Sequence, residues 1–356
     1  MRKNANSRVT IRDVAARAGV SPSTAHLVVA GKAGPKEETR QQVLRVIEEL
    51  HYQCNTAASS LKRGETWIGA VLPASEGGSE LYYGPIWEGV RAYCESAQDF
   101  NIQLIEMPYL NNESVTVQME SVEKIMATEK LSGVVMLGDI APDVRKTLRK
   151  LSDGGLPIVL VNGGVPEISP VCSVQTENYL LGCTMAEILV RLTPDGGKIL
   201  ICAGSENTPA NAEMVQGLES YLSRQVQKRE IHKIYYGYSH DEIERLYTQL
   251  LKAFQKEQIR ACCSVTARGS IQLAGALEET GLAGRIPAIG SDIFPQNIDS
   301  LRRDVFQNLI FKNPYQQGWK AAERLFQYIF RIRKTKGEVL RIKGEVVFQS
   351  SIPMYK

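Results

Sequence analysis

From Trp67 onward the chain alternates short, almost wholly apolar runs with longer stretches that are apolar on one side only. The runs are I-G-A-V-L-P (68–73), I-Q-L-I-E-M (102–107), S-G-V-V-M-L-G (132–138), P-I-V-L-V-N (157–162), K-I-L-I-C-A-G (198–204), R-A-C-C-S-V-T (260–266) and P-A-I-G-S-D (287–292). Between them, Ile86–Ala97, Val117–Thr128, Leu181–Leu192 and Ile271–Thr280 carry apolar residues at helical spacing. Strands apolar on both faces, alternating with helices, predict parallel sheets covered on each side. The runs are too many for one small sheet. They predict an α/β body of two doubly wound parallel-sheet lobes, with a ligand cleft at the C-terminal ends of the strands. A last run, V-L-R-I-K-G-E-V-V-F (339–348), reads as one strand, and no heptad repeat follows it.

The first 64 residues have a different texture. Ile11, Val14, Ala15 and Ala18 recur at the spacing of a helix with a narrow apolar face. Gly19 can take the positive φ that ends that helix, Val20 packs in the turn, and Ser21 is the N-cap of a second helix with Pro22 at its first position. Ala25, Val28 and Val29 form the inner face of the second helix, so Ser23, Thr24, His26 and Leu27 face outward. Lys36–Leu50 reads as a third helix whose Val43, Ile47 and Leu50 close an all-α mini-core. After it, N-T-A-A-S-S-L-K-R-G (55–64) has little apolar face and is too short to be a stable isolated helix. It is either a linker or a segment that folds when pressed against something. The predicted domains are a head (1–54), a hinge and linker (55–66) and a two-lobed body (67–356).

Charge divides the same way. The overall formal charge is +3, but residues 1–64 hold eleven Lys and Arg against five Asp and Glu, and the remainder 31 against 34. A basic head on a mildly acidic body suits a head that meets phosphates. The seven cysteines (Cys54, Cys94, Cys172, Cys183, Cys202, Cys262, Cys263) form no C-x-x-C pair and lie mostly in apolar runs, which predicts buried free thiols in a reducing compartment. Four scattered histidines offer no ligand spacing, so no metal is expected, nor any cofactor. The opening M-R-K-N-A-N-S-R has no apolar signal region, and no apolar run approaches membrane length; a soluble cytoplasmic chain without membrane contact is expected.

G-x-G-x-x-G, G-x-x-x-x-G-K-[ST] and G-x-S-x-G are all absent. Paired carboxylates such as Glu48/Glu49 and Glu278/Glu279 lie on polar helix faces, where solvation accounts for them. The parts suit binding better than catalysis, and no enzyme is expected.

The run V-T-I-R-D-V-A-A-R-A-G-V-S (9–21), followed by T-R-Q-Q-V-L-R-V-I-E-E-L-H-Y-Q-C-N (39–55) and A-A-S-S-L-K-R-G (57–64), resembles the LacI/GalR family of bacterial transcription regulators. I-G-S-D (289–292) and I-F-K-N-P-Y-Q-Q-G-W-K-A-A (310–322) resemble the last strands and following helix of that family's periplasmic-binding-protein-like effector domain. By position, the resemblance implies that Ser23 and Leu27 contact base edges, and that Thr10, Ser21, Thr24 and His26 lie near phosphates. Asn55 would start a hinge helix, with Ala58 and Leu61 in the minor groove and Leu61 wedged into a base step. An apolar wedge unstacks a step so that bent DNA engages more protein. Two copies held together offset the ordering cost of the hinge, which implies a homodimer on a pseudo-palindromic double-stranded operator. Leu61 could instead be a linker leucine packed on the core, and His26 could point to water. Most members carry Ser-Arg where this chain has His26-Leu27. Leucine cannot fork onto guanine as arginine does, so an operator poorer in guanine at that position is expected.

In the cleft, Ser75 and Glu76 follow the first strand, and Tyr83 and Trp87 open the next helix, where an aromatic ring can stack on a sugar. Tyr82 is assigned to the core. Asn162 and Asp292 end strands at positions that hold ligand hydroxyls in sugar-binding relatives; Asp292 could alternatively cap the following helix. Three positions depart from the family pattern: Met214 stands where relatives often have a sugar-binding Arg, Gly269-Ser270 replaces a frequent Asn-Asp, and Lys312 replaces Gln. Lys312 could attract an anionic group or extend to the surface. The resemblance thus implies a DNA-binding regulator, a repressor, controlled by a small-molecule effector, a sugar or derivative. The alternatives are a cytoplasmic small-molecule-binding protein without DNA function, or control by a protein corepressor.

Overall fold

The computed structural model describes residues 11–29, 34–50, 65–76, 79–110, 119–120, 123–124, 127, 130–138, 142–165, 167–237, 239–333 and 336–355. Two compact units emerge, residues 1–66 with 98–101, and residues 67–97 with 102–356.

The smaller unit holds α1 (Ile11–Arg17), α2 (Pro22–Val29) and α3 (Glu37–Glu49). Its core is Val14, Ala15 and Ala18 of the first helix segment, Ala25 and Val28 of α2, and Val43 and Val46 of α3. Ile47 and Leu50 are only partly buried, so the inner face of α3 centres on Val43 and Val46. Gly19 has φ +62°. The Val20 amide donates to the Ala15 carbonyl at 3.0 Å and the Gly19 amide to the Ala16 carbonyl at 3.3 Å. This paired bonding satisfies two carbonyls that the end of α1 leaves without partners, and only a left-handed residue permits it. Glycine supplies that conformation without strain.

In the body, lobe 1 contains β1 (Thr66–Pro73), α4 (Glu80–Ser96), β2 (Ile102–Tyr109), β3 (Gly133–Leu137), α5 (Pro142–Asp153), β4 (Ile158–Val161) and β5 (Cys172–Thr176). The chain then crosses to lobe 2: α6 (Asn178–Leu192), β6 (Lys198–Gly204), α7 (Pro209–Ser223), β7 (Ile231–Tyr235), α8 (His240–Lys256), β8 (Ile259–Ser264), α9 (Ala267–Glu279), β9 (Ala288–Ser291), α10 (Pro295–Arg302) and β10 (Asn308–Phe311). It returns for α11 (Pro314–Ile329) and β11 (Glu338–Ile342), and crosses a third time into β12 (Glu345–Val347). The sheet orders are β11-β5-β4-β3-β1-β2 and β12-β10-β9-β8-β6-β7. The pairings through β11-β5-β4-β3-β1 and β10-β9-β8-β6-β7 are parallel, and β12 runs antiparallel to β10.

Strand alternation explains why both faces are covered. In lobe 1, Val135, Leu137, Val159 and Val161 meet α4 and α11, while Val134, Met136, Ile158 and Leu160 meet Leu148 of α5. In lobe 2, Ile199, Ile201 and Ala203 meet α6 and α7, while Leu200 and Cys202 meet α8 and α9. The α6–α7 contact requires glycine: a β-carbon at Gly182 would strike the Met214 carbonyl, and one at Gly217 the Tyr179 carbonyl.

The run 339–348, read from sequence as one strand, is two strands in different sheets. Lys343 and Gly344 form the third crossing between them, and Gly344 lies hard against the Leu181 side chain, which leaves no room for a β-carbon. The three crossings are bonded to one another. Thr176 Oγ1 donates to the Lys312 carbonyl at 2.9 Å, the Glu177 amide to the Ile342 carbonyl at 3.3 Å, and Arg341 to the Thr176 carbonyl at 3.2 Å. Gln317 Nε2 lies 2.9 Å from Thr176 Oγ1 and 3.0 Å from the Lys312 carbonyl.

Candidate functional site

In the head, Ser21 caps α2: its Oγ accepts the Thr24 amide at 3.0 Å and lies 2.8 Å from the Thr24 hydroxyl. The cap fixes the first turn, and no acidic residue stands in it. A helix start without carboxylates is compatible with an approaching phosphate. Ser23 is exposed, whereas Thr24 and Leu27 are half-buried. His26 lies on α2 with its side chain outside the described residues, and Thr10, Asn55, Ala58 and Leu61 also lie outside them.

In the body, a small cavity opens between the lobes. Lobe 1 supplies Ser79, Tyr82 and Tyr83 at the start of α4, and Asn162 after β4. Lobe 2 supplies the first residue of α6, Asn178, the first turns of α7 and α9, and Met214. Lys312 enters from the second crossing. Of the residues expected from sequence, Tyr83, Asn162, Met214 and Lys312 therefore meet at one cavity.

The others stand elsewhere. Ser75 and Glu76 are exposed beyond the end of β1. Trp87 is 1% exposed in the lobe 1 core, its indole N–H donating to the Pro73 carbonyl at 2.8 Å. It sits one turn further along α4 than Tyr83, beneath the sheet. Ser270 is buried and ties α9 to β9: its Oγ donates to the Thr266 carbonyl at 3.0 Å and accepts the Ser291 amide at 2.7 Å. Tyr82, assigned to the core, does pack against the lobe 1 core and also lines the cavity. Its hydroxyl donates to Asn162 Oδ1 at 2.8 Å and accepts from Gln317 at 3.0 Å, so its polar end is fixed at the cleft.

Asp292 does not line the cavity and does not cap α10; Phe294 holds the cap position. Its backbone is left-handed, φ +67°, as are Asn162 at +61° and Asn313 at +53°. Asp and Asn tolerate this region better than most residues because their short polar side chains bond locally. Both oxygens of the Asp292 carboxylate are engaged: Oδ1 accepts the Lys312 amide at 3.2 Å, and Oδ2 accepts Lys312 Nζ at 2.9 Å and the Ser291 hydroxyl at 3.2 Å. Lys312 Nζ also donates to the Val265 carbonyl at 2.9 Å and lies 4.7 Å from the centre of the Tyr82 ring. One hinge lysine thus bonds to two groups of lobe 2 and rests on an aromatic ring of lobe 1. Both members of this ion pair are buried, which makes it sensitive to loss of either partner.

Sequence reasoning missed Asn178, Arg268 and Gln317. Asn178 follows β5, whose C-S-V-Q-T composition hides a strand. Arg268 occupies the first turn of α9, where position after a strand was the available signal. Gln317 joins the hinge only through the fold.

A capped helix-turn-helix joined in one chain to a hinged, two-lobed binding body defines a ligand-responsive DNA-binding regulator. The pattern of the bacterial regulatory proteins of the lacI family matches residues 10–55, and that of a periplasmic binding protein domain matches residues 69–331. The chain belongs to the LacI/GalR family. It is 27% identical over 349 residues to the HTH-type transcriptional repressor PurR of Mannheimia succiniciproducens, covering 96% of this chain and 98% of that one. It is 26% identical over 220 residues to catabolite control protein A of Staphylococcus aureus, covering 61% and 62%. The body shares its fold with GanP, a glucose-galactose binding protein from Geobacillus stearothermophilus, at a TM-score of 0.69 and 19% identity over 81% of this chain and 99% of that one. These relatives are regulators and a binding protein. Among the described residues, no helix is long and apolar enough to cross a membrane.

Proposed function

We propose that this regulator is a repressor, a homodimer whose hold on a pseudo-palindromic operator is controlled by a small carbohydrate-like molecule in the cleft. It binds without turnover and works in the bacterial cytoplasm, on the nucleoid. Ser23 and Leu27 meet base edges, and Thr10, Ser21, Thr24 and His26 meet phosphates. Asn55 begins the hinge helix, Ala58 and Leu61 enter the minor groove, and Leu61 opens the central step. The cost of unstacking, a few kcal/mol, is recovered from the surface that bent DNA contacts.

The carrying observation is that one chain joins a head with a rigidly capped α2 to a cleft whose lobes are linked through three mutually bonded crossings. A ligand that closes such a cleft changes the hinge geometry and can act on the operator only through its differential affinity for the two states. The repressor named among the relatives and the sugar-binding protein among the fold neighbours support the two halves separately. Selection of duplexes from random DNA by the intact protein tests the reading. A palindromic site poor in guanine opposite Leu27 is expected, and its affinity should collapse in Leu61→Ala. Recovery of no preferred site contradicts the proposal.

A further inference from the structure

The body carries a second concave surface, separate from the cleft cavity. Strand alternation turns Cys172 and Val174 of β5, with Leu340 and Ile342 of β11, toward the core beneath α4 and α11. Ser173 and Gln175 therefore face the other side, and the register sets Val339 and Arg341 of β11 directly beside them. On that side α5 covers β3 and β4. The connection from β4 to β5 (162–171) holds no helix among its described residues, and the strip over β5 and β11 is an open groove. One wall is that connection, from Gly164 to Pro170; the other is the start of α7 in lobe 2, at Pro209 and Glu213.

Two polar side chains in the floor are unused. Ser173 is 5% exposed and Gln175 6%, both line the groove, and among the described residues neither side chain makes a hydrogen bond. Gln175 Nε2 lies against Gly164, where a β-carbon would stand 3.1 Å away. Buried polar groups in native proteins are nearly always satisfied. A hydroxyl and a carboxamide that open on a groove are satisfied by what enters it.

The charged side chains of the lining are, by contrast, all engaged. Glu167 is paired with Arg145 and, at 3.2 Å, with Arg149. Glu213 lies 3.5 Å from Arg341 and accepts the Asn178 amide at 3.4 Å, while Arg341 also donates to the Thr176 carbonyl at 3.2 Å. Asn178 itself faces the cleft cavity, where its Oδ1 has no partner. An ionic ligand in the groove would have to break one of these pairs, whereas a neutral one leaves them intact.

The sides of the groove are apolar, with Ile168, Pro170, Pro209 and Val339. Apolar walls around a few placed polar groups are the usual make-up of a small-molecule site. Ser173 and Gln175 stand two residues apart, about 7 Å along the strand, which is the span of one ring with a substituent. The Gln175 carboxamide offers a donor and an acceptor side by side, and its complement is another amide presenting the reverse pair. A polyol, whose many hydroxyls need several partners, finds only two here. We propose that this groove is a second small-molecule site, for a neutral single-ring compound with an amide edge, a carboxamide or a cyclic amide. The amide pairs with Gln175, and the far side of the ring bonds to Ser173. Both lobes wall the site, so its occupant senses their arrangement.

Ligand-observed NMR and calorimetric titration of the full chain test this with nicotinamide, uracil and δ-valerolactam. Each is compared with the partner whose amide hydrogens are replaced by methyl groups: N,N-dimethylnicotinamide, N,N′-dimethyluracil and N-methylvalerolactam. At least one parent should bind about tenfold or more tighter than its methylated partner, roughly 1.4 kcal/mol. Val339→Trp, at a position 51% exposed, fills the groove without entering the core and should abolish that binding. Gln175→Met removes the amide at nearly constant length and should erase the preference for the parent. Tyr83→Ala, in the cleft, should leave it unchanged. Binding of no parent, equal binding of parents and methylated partners, survival of binding in Val339→Trp, or its loss in Tyr83→Ala would each overturn the proposal. The titration uses no operator, so its result is independent of the regulator reading.

Discussion

The head and the body solve the same problem, fixing a binding surface, by opposite means. The head relies on neighbours in sequence: the turn bonding at Gly19, the Ser21 cap and a core of seven small and mid-sized apolar residues. The body relies on groups far apart in the chain, such as Lys312 with Asp292, Gln317 with Tyr82 and Thr176, and the close approach of Gly182 to α7. Local signals make an element recognisable but add little stability each, whereas buried long-range pairs are strong and fail severely.

Removal of the buried cation should separate the two regions most strongly. Lys312→Met leaves Asp292 buried without its cation, which should cost the body about 3–5 kcal/mol in urea unfolding followed by circular dichroism. Adding Asp292→Asn should restore most of that loss, because asparagine keeps the left-handed backbone and carries no charge. Next, Gly182→Ala drives a methyl into the Met214 carbonyl and should cost roughly 1–3 kcal/mol, again in the body transition. Ser21→Ala acts on the head alone; loss of the cap should lower its stability by about 1 kcal/mol and leave the body transition unmoved. A single shared transition shifted by all three variants would mean that the two regions are not separate in the way described.

A smaller effect concerns pH. Burial pushes the Cys94 thiol up to about 12 from an ordinary value of 9.0. A group raised on folding contributes stability that is complete below pH 9 and is lost as pH climbs toward 12. The body should therefore be insensitive to this thiol at pH 8, and Cys94→Ala should flatten part of any decline between pH 9 and 11. An equal slope in the variant would show that Cys94 takes no part.

The same contrast explains what could be read in the sequence. The head's helices, turn and cap follow from spacing and residue type over about forty positions. The alternation of runs gave the two parallel lobes, but β5 and β7 escaped because C-S-V-Q-T and I-H-K-I-Y mix polar residues into strands near or at sheet edges, and β10 was indicated only by the family resemblance of 310–322. The break between β11 and β12 was hidden because the crossing is only two residues long. For the cavity wall, strand ends pointed to Asn162 and the neighbourhood of Lys312, which line it, and equally to Ser75, Glu76 and Asp292, which do not. The sequence could not reveal that Lys312 turns back onto Asp292, that Trp87 lies inward of Tyr83, or that Asn178 keeps an unused acceptor. Those facts depend on side-chain direction and on segments brought together across the whole chain.

The proposed coupling between cleft and head is read by fluorescence anisotropy of the intact protein on its selected operator, with and without a saturating cleft ligand found by titration. The expected result is selective binding whose Kd changes about 5- to 150-fold when the ligand is present. A ligand that fills the cleft and leaves the operator Kd unchanged would contradict the account.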